Sequence, residues 1–257
     1  MLPSVGDFAV ALAGSNPTVD NQSHDTNIQP SNRAGPTPSP LQRTDVTGHG
    51  LGSGKSSVGL RLEKGGVMRR GEKLGIEKLK KPDFMTDGEW KATLETLSML
   101  NQTIPDEVWK LVGEKVTSLD RIRSDGQEDR KKFLSTDGRE FTESGAASTL
   151  LLTTIGRKSG KEITTPVNYM RDGDNYIIVA SLAGYDKPPH WYLNLEKNPR
   201  VWVQAKDKKV PATSRRMTRE EKARLWPRML KEGQPLWAYF QMFTQREFQA
   251  VIITPEK

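Results

Sequence analysis

Two short clusters in the second half of the chain carry side chains that could hold a charged, planar molecule. Gly156-Arg157-Lys158-Ser159-Gly160 sets three donor residues between two glycines. Glycine lets backbone come close to a ligand, arginine offers a forked guanidinium, and lysine and serine add further donors. The set suits a phosphate or a carboxylate, although the same five residues also read as a solvated hairpin turn. The second cluster runs Ala180-Ser181-Leu182-Ala183-Gly184, then Lys187-Pro188-Pro189-His190-Trp191-Tyr192-Leu193-Asn194-Leu195. Its prolines can start a short helix, on which Trp191, Asn194 and Leu195 share one face at helical spacing. An aromatic and an amide beside a strand end of small residues could cradle a ring; the plainer reading is a core tryptophan with a capping asparagine. His190 alone reads as a surface residue rather than a base.

Composition removes other chemistries. The chain of 257 residues has no cysteine, which excludes disulfides, thiol nucleophiles and thiolate metal sites. Its three histidines, His24, His49 and His190, are far apart and offer no zinc pattern. No apolar stretch reaches the roughly 18 residues that a membrane span needs, and no secretion signal opens the chain, so a cytoplasmic protein is expected. The net charge of +7 is unevenly spread: Lys and Arg exceed Asp and Glu by 1 over residues 1–135 and by 6 over 136–257. The basic excess thus lies with the two clusters, as an anionic ligand would require.

The elements that must position these clusters follow from periodicity. Residues 15–59 are rich in Ser, Thr, Asn, Pro and Gly and cannot bury enough surface to fold alone. The basic stretch Lys55 to Lys81 extends this reading, giving a disordered extension over 1–85. His49-Gly-Leu-Gly-Ser-Gly-Lys-Ser-Ser57 resembles a phosphate-binding loop only loosely: the first glycine of that motif is replaced by His49 and no strand precedes it. Thr86 and Glu89 form a capping box that opens a helix to about Gln102. A second helix is expected from Pro105, with Val108, Leu111, Val112, Val116, Leu119 and Ile122 on its apolar face and Gly126 as its stop. Together these make a helical segment, 86–135, packed on the domain that follows. From Ser148 the period changes to that of strands: STLLLTTIG, KEITTPVNYMRD and NYIIVASLAG, the last two joined by a turn at Asp172-Gly173, then RVWVQAK and KKVPATSRR turning near Asp207, and FQAVIITP. Thr218 and Glu221 cap a helix before the last strand. The domain at 136–257 is therefore a small α+β barrel.

In their order and spacing, LLLTTIGRKSGKEITTPVNYM, YIIVASLAG and KPPHWYLNLEKNPRVWVQ resemble the deazaflavin-dependent nitroreductase and quinone reductase family, over about Thr149 to Pro255. The resemblance implies a split β-barrel of the FMN-binding kind with flanking helices, and coenzyme F-420 as its redox cofactor, with FMN or FAD as the alternative. It also implies roles. Arg157, Lys158, Ser159 and Gly160 would hold the coenzyme's phosphate and acidic tail. Thr165, Pro166 and Val167 would line the ring, with Ala180 and Ser181 approaching from the next strand. Lys187 and Pro188 would close the phosphate side, with Trp191 and Asn194 beside them. The chemistry implied is hydride transfer to a nitroaromatic, quinone or similar small-molecule acceptor. Trp237 and Phe240 stand where the family often has tyrosines over the acceptor, leaving Tyr239 as the nearby phenol and candidate proton donor.

Two other readings compete. The same barrel could be a non-catalytic carrier of a hydrophobic or tetrapyrrole ligand. A nucleic-acid-binding role has only the basic 55–81 stretch and a pI near 9.5 in its favour, without a recognised motif, so no nucleic-acid partner is expected. Related split barrels often pair, making a homodimer one expectation for assembly.

Overall fold

The computed structural model describes residues 68–139 and 148–256. Six antiparallel strands, β1 (Thr149–Ile155), β2 (Glu162–Asp172), β3 (Asn175–Val179), β4 (Arg200–Gln204), β5 (Lys209–Arg216) and β6 (Ala250–Pro255), close into a barrel in the order β1-β2-β3-β6-β5-β4. The strands expected from the sequence are all present, and the split-barrel assignment holds. Closure runs through β1 and β4, where Thr153 sits opposite Trp202 and Leu151 opposite Gln204.

Because directly opposed residues in antiparallel strands point to the same face, the register sorts the barrel's side chains. Leu150, Leu152, Tyr169, Tyr176, Ile178, Val201, Val203, Ala212, Val251 and Ile253 fill the interior. The alternate set on β2, β3 and β6, namely Met170, Ile177, Val179, Ala250 and Ile252, faces outward and joins a second core built by the helices. Every inward residue of β1 to β6 thus has an outward neighbour in sequence, and on one side of the barrel that neighbour is apolar as well. This is why the strands read as apolar runs rather than a clean alternation.

The helices are α1 (Asp87–Thr103), α2 (Asp106–Lys115), α3 (Leu119–Ser135), α4 (His190–Lys197), α5 (Arg219–Arg228) and α6 (Leu236–Gln241). The expected capping boxes are formed at both sites: the Thr86 and Thr218 side chains accept from the N–H of Glu89 and Glu221, whose carboxylates accept from the cap N–H in return. Pro227 lies inside α5, and beyond Arg228 the chain continues as a π-turn, Met229–Gly233. A proline removes one helix donor and crowds the turn before it, and the α-helical winding ends one residue beyond it.

The single helix expected from Pro105 to Gly126 is two. Ser118 takes a β-region backbone and its side chain accepts from the Arg121 N–H, so α2 ends at Lys115 and α3 begins at Leu119. Gly126 does not stop α3; it lies against Pro166 of β2, where a β-carbon would be 3.9 Å from the proline ring. That is ordinary van der Waals contact, so nothing in the packing requires a glycine here.

The extension expected to be disordered through residue 85 is only partly described. Residues 1–67, including the loose phosphate-loop match at 49–57, lie outside the described residues. Residues 68–85 are packed: Gly71, Leu74 and Met85 are buried, and Asn101 of α1 donates to the Leu74 carbonyl at 2.8 Å. Gly and basic residues made this stretch look mobile, but Leu74, Ile76, Leu79 and Met85 give it enough apolar surface to join the helical core.

That core holds a buried ionic group. Lys222 of α5 is 4% exposed and lies 3.5 Å from Glu89 of α1 and 2.8 Å from Glu247 ahead of β6. Trp226 Nε1 donates to Thr93 Oγ1 at 3.0 Å across the same α1–α5 contact. No helix among the described residues is long and apolar enough to cross a membrane.

Candidate functional site

Strand alternation gathers the predicted residues. β1 ends, β2 begins, β3 ends and β4 begins at the same rim of the barrel, so the loops 156–161 and 180–199 share that rim with the 217–249 segment.

The first loop is a tight hairpin turn. The Gly156 N–H donates to the Lys161 carbonyl and the Gly160 N–H to the Gly156 carbonyl, both at 2.8 Å. Gly160 has φ 67°, and a β-carbon on Gly156 would lie 2.9 Å from Ile163 Cδ1. Gly160 is therefore required by backbone conformation, while at Gly156 the Ser159 and Ile163 side chains crowd the place of a β-carbon. What the turn presents is cationic: Arg157, Lys158, Ser159 and Lys161 are all exposed.

Asn194 fastens this turn to α4. Its side chain is 2% exposed and accepts from the Arg157 N–H at 3.1 Å and from Arg157 Nη1 at 3.3 Å. Its own amide donates to Thr154 Oγ1 at 3.0 Å. One buried amide thus joins α4, the end of β1 and the loop arginine. Trp191 and Leu195 are buried on the same face of α4, closing the end of the barrel interior, while His190 is exposed. Lys187 is exposed and Pro188 half-buried just before.

Thr165, Pro166 and Val167 lie in mid-strand. Val167 and Thr165 oppose the interior residues Leu150 and Leu152, and Pro166 opposes Leu151 and faces α3.

The second loop is held in an unusual conformation. Leu182, Ala183 and Gly184 have φ 43°, 49° and 75°. Two arginines grip its carbonyls. Arg246 donates to Ala180 O at 2.8 Å, Ser181 O at 2.9 Å and Tyr185 O at 3.1 Å. From the other side Arg70 donates to Gly184 O at 2.9 Å and Ala183 O at 3.2 Å, its guanidinium lying 4.6 Å from the Tyr185 ring centroid. Burial pulls the Arg246 pKa below its ordinary value, with Asp186 acting against that. A β-carbon on Gly184 would run into the Phe240 carbonyl, so α6 packs directly on this loop. Neither arginine was singled out in the sequence as a site residue. Arg246 follows Thr244 and Gln245, just beyond the aromatic segment discussed there, whereas Arg70 sits in a stretch with no periodic pattern.

Trp237, Tyr239 and Phe240 were expected as a wall over an acceptor. Trp237 is buried against Gly233, and Phe240 is half-buried. Tyr239 is fully buried, its ring 4.5 Å from that of Trp109. Its hydroxyl accepts from the Gly71 N–H at 2.9 Å and donates to the Glu72 carbonyl at 3.0 Å. Desolvation pushes its pKa up to about 12, with the backbone bonds to 71 and 72 opposing the shift. The phenol is engaged by the chain itself, in the helical core rather than among the loop cations.

The donor set is thus of a kind suited to an anion: exposed Arg157, Lys158 and Lys161 on a hydrogen-bonded glycine turn, beside a loop whose carbonyls are occupied by arginines. Among the described residues no cluster of three or more potential metal ligands occurs.

Comparison with known proteins locates this rim in a family. Residues 126–255, half of the chain, match the model of the F420H2-dependent quinone reductases. A Mycobacterium tuberculosis protein named for that activity is 38% identical over 112 residues, covering 42% of this chain and 89% of the relative. A second F420H2-dependent quinone reductase of Mycobacterium tuberculosis is 36% identical over 112 residues, 43% of this chain and 75% of its own. The solved structure of an F420-H2 dependent reductase is 36% identical, covering 41% of this chain and 92% of that one, with a TM-score of 0.37.

Proposed function

This chain belongs to the F420H2-dependent quinone reductase family, and from that premise we propose that it is an oxidoreductase that binds reduced coenzyme F-420 at the loop rim and reduces quinones. Nitroaromatics and other activated acceptors are open to the same two-electron chemistry. The observation that carries the reading is the cationic glycine turn, Gly156–Lys161, locked to α4 through Asn194. The donor set fits the coenzyme, which is phosphorylated and acidic at one end and planar at the other.

In this reading Arg157, Lys158, Ser159 and Gly160 hold the phosphate and acidic tail, with Lys187 and Pro188 closing that side. Asn194 keeps Arg157 oriented, and Trp191 supports the helix that carries it. Ala180, Ser181 and the backbone of Thr165, Pro166 and Val167 flank the ring. When bound, the coenzyme supplies a hydride, and a quinone takes it up together with one proton to become a hydroquinone. The chain itself contributes position, positive potential and exclusion of water. Tyr239 serves the architecture of the site, since its hydroxyl is committed to Gly71 and Glu72; the proton then comes from solvent.

A titration of the pure chain with reduced and oxidised F-420, with FMN alongside, tests this. Deazaflavin binding is expected, weakened by about 1.5–3 kcal/mol in Arg157→Ala through loss of a charge-assisted bond. Binding of FMN alone would replace the cofactor, and binding of neither would remove the proposal.

A further inference from the structure

We infer that Arg70, which lies outside the region matched by the family, is a positioning residue that sets the loop Ala180–Asp186 for the coenzyme; as a statement about coenzyme binding this rests on the function proposed above. Leu182 and Ala183 occupy the left-handed region, which residues with a β-carbon leave unless their surroundings over-determine it. Here the surroundings do. The carbonyls of Ala180, Ser181 and Tyr185 go to Arg246, and those of Ala183 and Gly184 go to Arg70. The Leu182 carbonyl accepts from the Tyr185 N–H. Every carbonyl from 180 to 185 is therefore engaged. The N–H groups of Leu182 and Ala183 have no acceptor among the described residues, and they follow Ser181, whose backbone is right-handed. A right-handed residue followed by a left-handed one turns successive N–H groups toward one side, forming a concavity that accepts an anion or an electronegative atom. Arg70 contributes by removing the competing carbonyls of Ala183 and Gly184 from that side.

The geometry of Arg70 is itself fixed. Its guanidinium lies 4.6 Å from the Tyr185 centroid and 5.2 Å from that of Phe243. The next residue, Gly71, donates to the buried Tyr239 hydroxyl. Tyr185 in turn donates its hydroxyl to the Val116 carbonyl at 3.0 Å, which ties the loop to the end of α2 as well. The guanidinium's fork serves two adjacent carbonyls at once, which a lysine ammonium reproduces only partly.

Full-length Arg70→Ala, Arg70→Gln and Arg70→Lys variants test the assignment by two independent readouts. Hydrogen–deuterium exchange of the ligand-free chain should rise in peptides spanning 180–186 while the six strands keep their protection. The dissociation constant and KM for reduced F-420 should rise by about tenfold in Arg70→Ala, as loss of a charged hydrogen-bond pair implies, with kcat changed much less. Arg70→Lys should fall between wild type and Arg70→Ala. Unchanged exchange in 180–186, or a uniform rise over all six strands, would overturn the inference. If Arg70→Ala does not fold, Arg70→Gln, which keeps a donor without the charge, decides by the same exchange pattern. Should the wild-type chain bind no F-420, the proposed function fails, and the exchange experiment still decides whether Arg70 sets the loop.

Discussion

Gly71 and Gly113 meet backbone to backbone: a β-carbon on Gly71 would lie 2.7 Å from the Gly113 α-carbon, and one on Gly113 would lie 2.9 Å from the Arg70 carbonyl oxygen. This contact sets how deeply the 68–79 segment seats on α2, and hence where Arg70 and the Gly71 N–H can reach. Gly113→Ala should destabilise the chain by about 1–3 kcal/mol through overpacking. Gly71→Ala should cost more, because φ 87° adds a left-handed penalty of roughly 1–2 kcal/mol. Urea unfolding of the two variants against wild type checks the order.

The buried amide of Asn194 gives a second prediction. Asn194→Ala leaves the Arg157 N–H and Thr154 hydroxyl without their shared partner. A stability loss of about 1–3 kcal/mol is expected, together with weaker F-420 binding. Asn194→Asp should keep the Arg157 contacts but lose the donor to Thr154. Calorimetric titration beside thermal melts would separate the two effects; unchanged coenzyme affinity in Asn194→Ala would show that Arg157 needs no fixed orientation.

Lys222 offers a third test, in the helical core. Lys222→Met strands Glu89, which is 2% exposed, and should cost about 3–5 kcal/mol, as breaking a buried pair does. Adding Glu89→Gln should recover much of that loss, since neither buried charge then remains unpaired. A double variant no more stable than Lys222→Met would argue that the capping role of Glu89 at Thr86 outweighs its charge.

Tyr239 should make stability fall at alkaline pH. The folded chain keeps its proton up to about 12 against an ordinary 10.0, so the folded state binds more protons between these values. Its contribution is complete below pH 10 and is lost as pH rises toward 12, at most about 2–3 kcal/mol. Tyr192, also raised to about 12 by burial and Glu196, adds a parallel slope. Tyr239→Phe should flatten its share of the alkaline decline. It should also cost about 1–2 kcal/mol at neutral pH, because the Gly71 N–H loses its acceptor. Unfolding free energies over a pH series decide between these curves.

Much of this architecture was legible in the residues. Strand alternation, the Asp172-Gly173 turn and the two capping boxes follow from local rules, and the cationic glycine turn announced itself by composition. What was hidden depends on long-range contact. Ser118 reads as one polar residue in a helical pattern until its cap is seen. Leu74, Ile76 and Met85 are spaced irregularly, so their burial arises from α1 and α2 rather than from any period of their own. Arg70 lies 113 residues from the Ala183 carbonyl it holds, and no local signal connects them. Tyr239 invited a catalytic reading because phenols near a proposed site suggest proton donors; only the path of residues 69–72 reveals what its hydroxyl does.

The pairing of β1 with β4 has a consequence for association between copies of this chain. With that seam joined, each strand has a neighbour on both sides, but β2 pairs with β1 over 162–168 and with β3 only over 169–172, so its first half has no strand partner on its other side. Sheet extension between copies, the route that turns open-edged folds into fibres, is thereby confined to that one short edge.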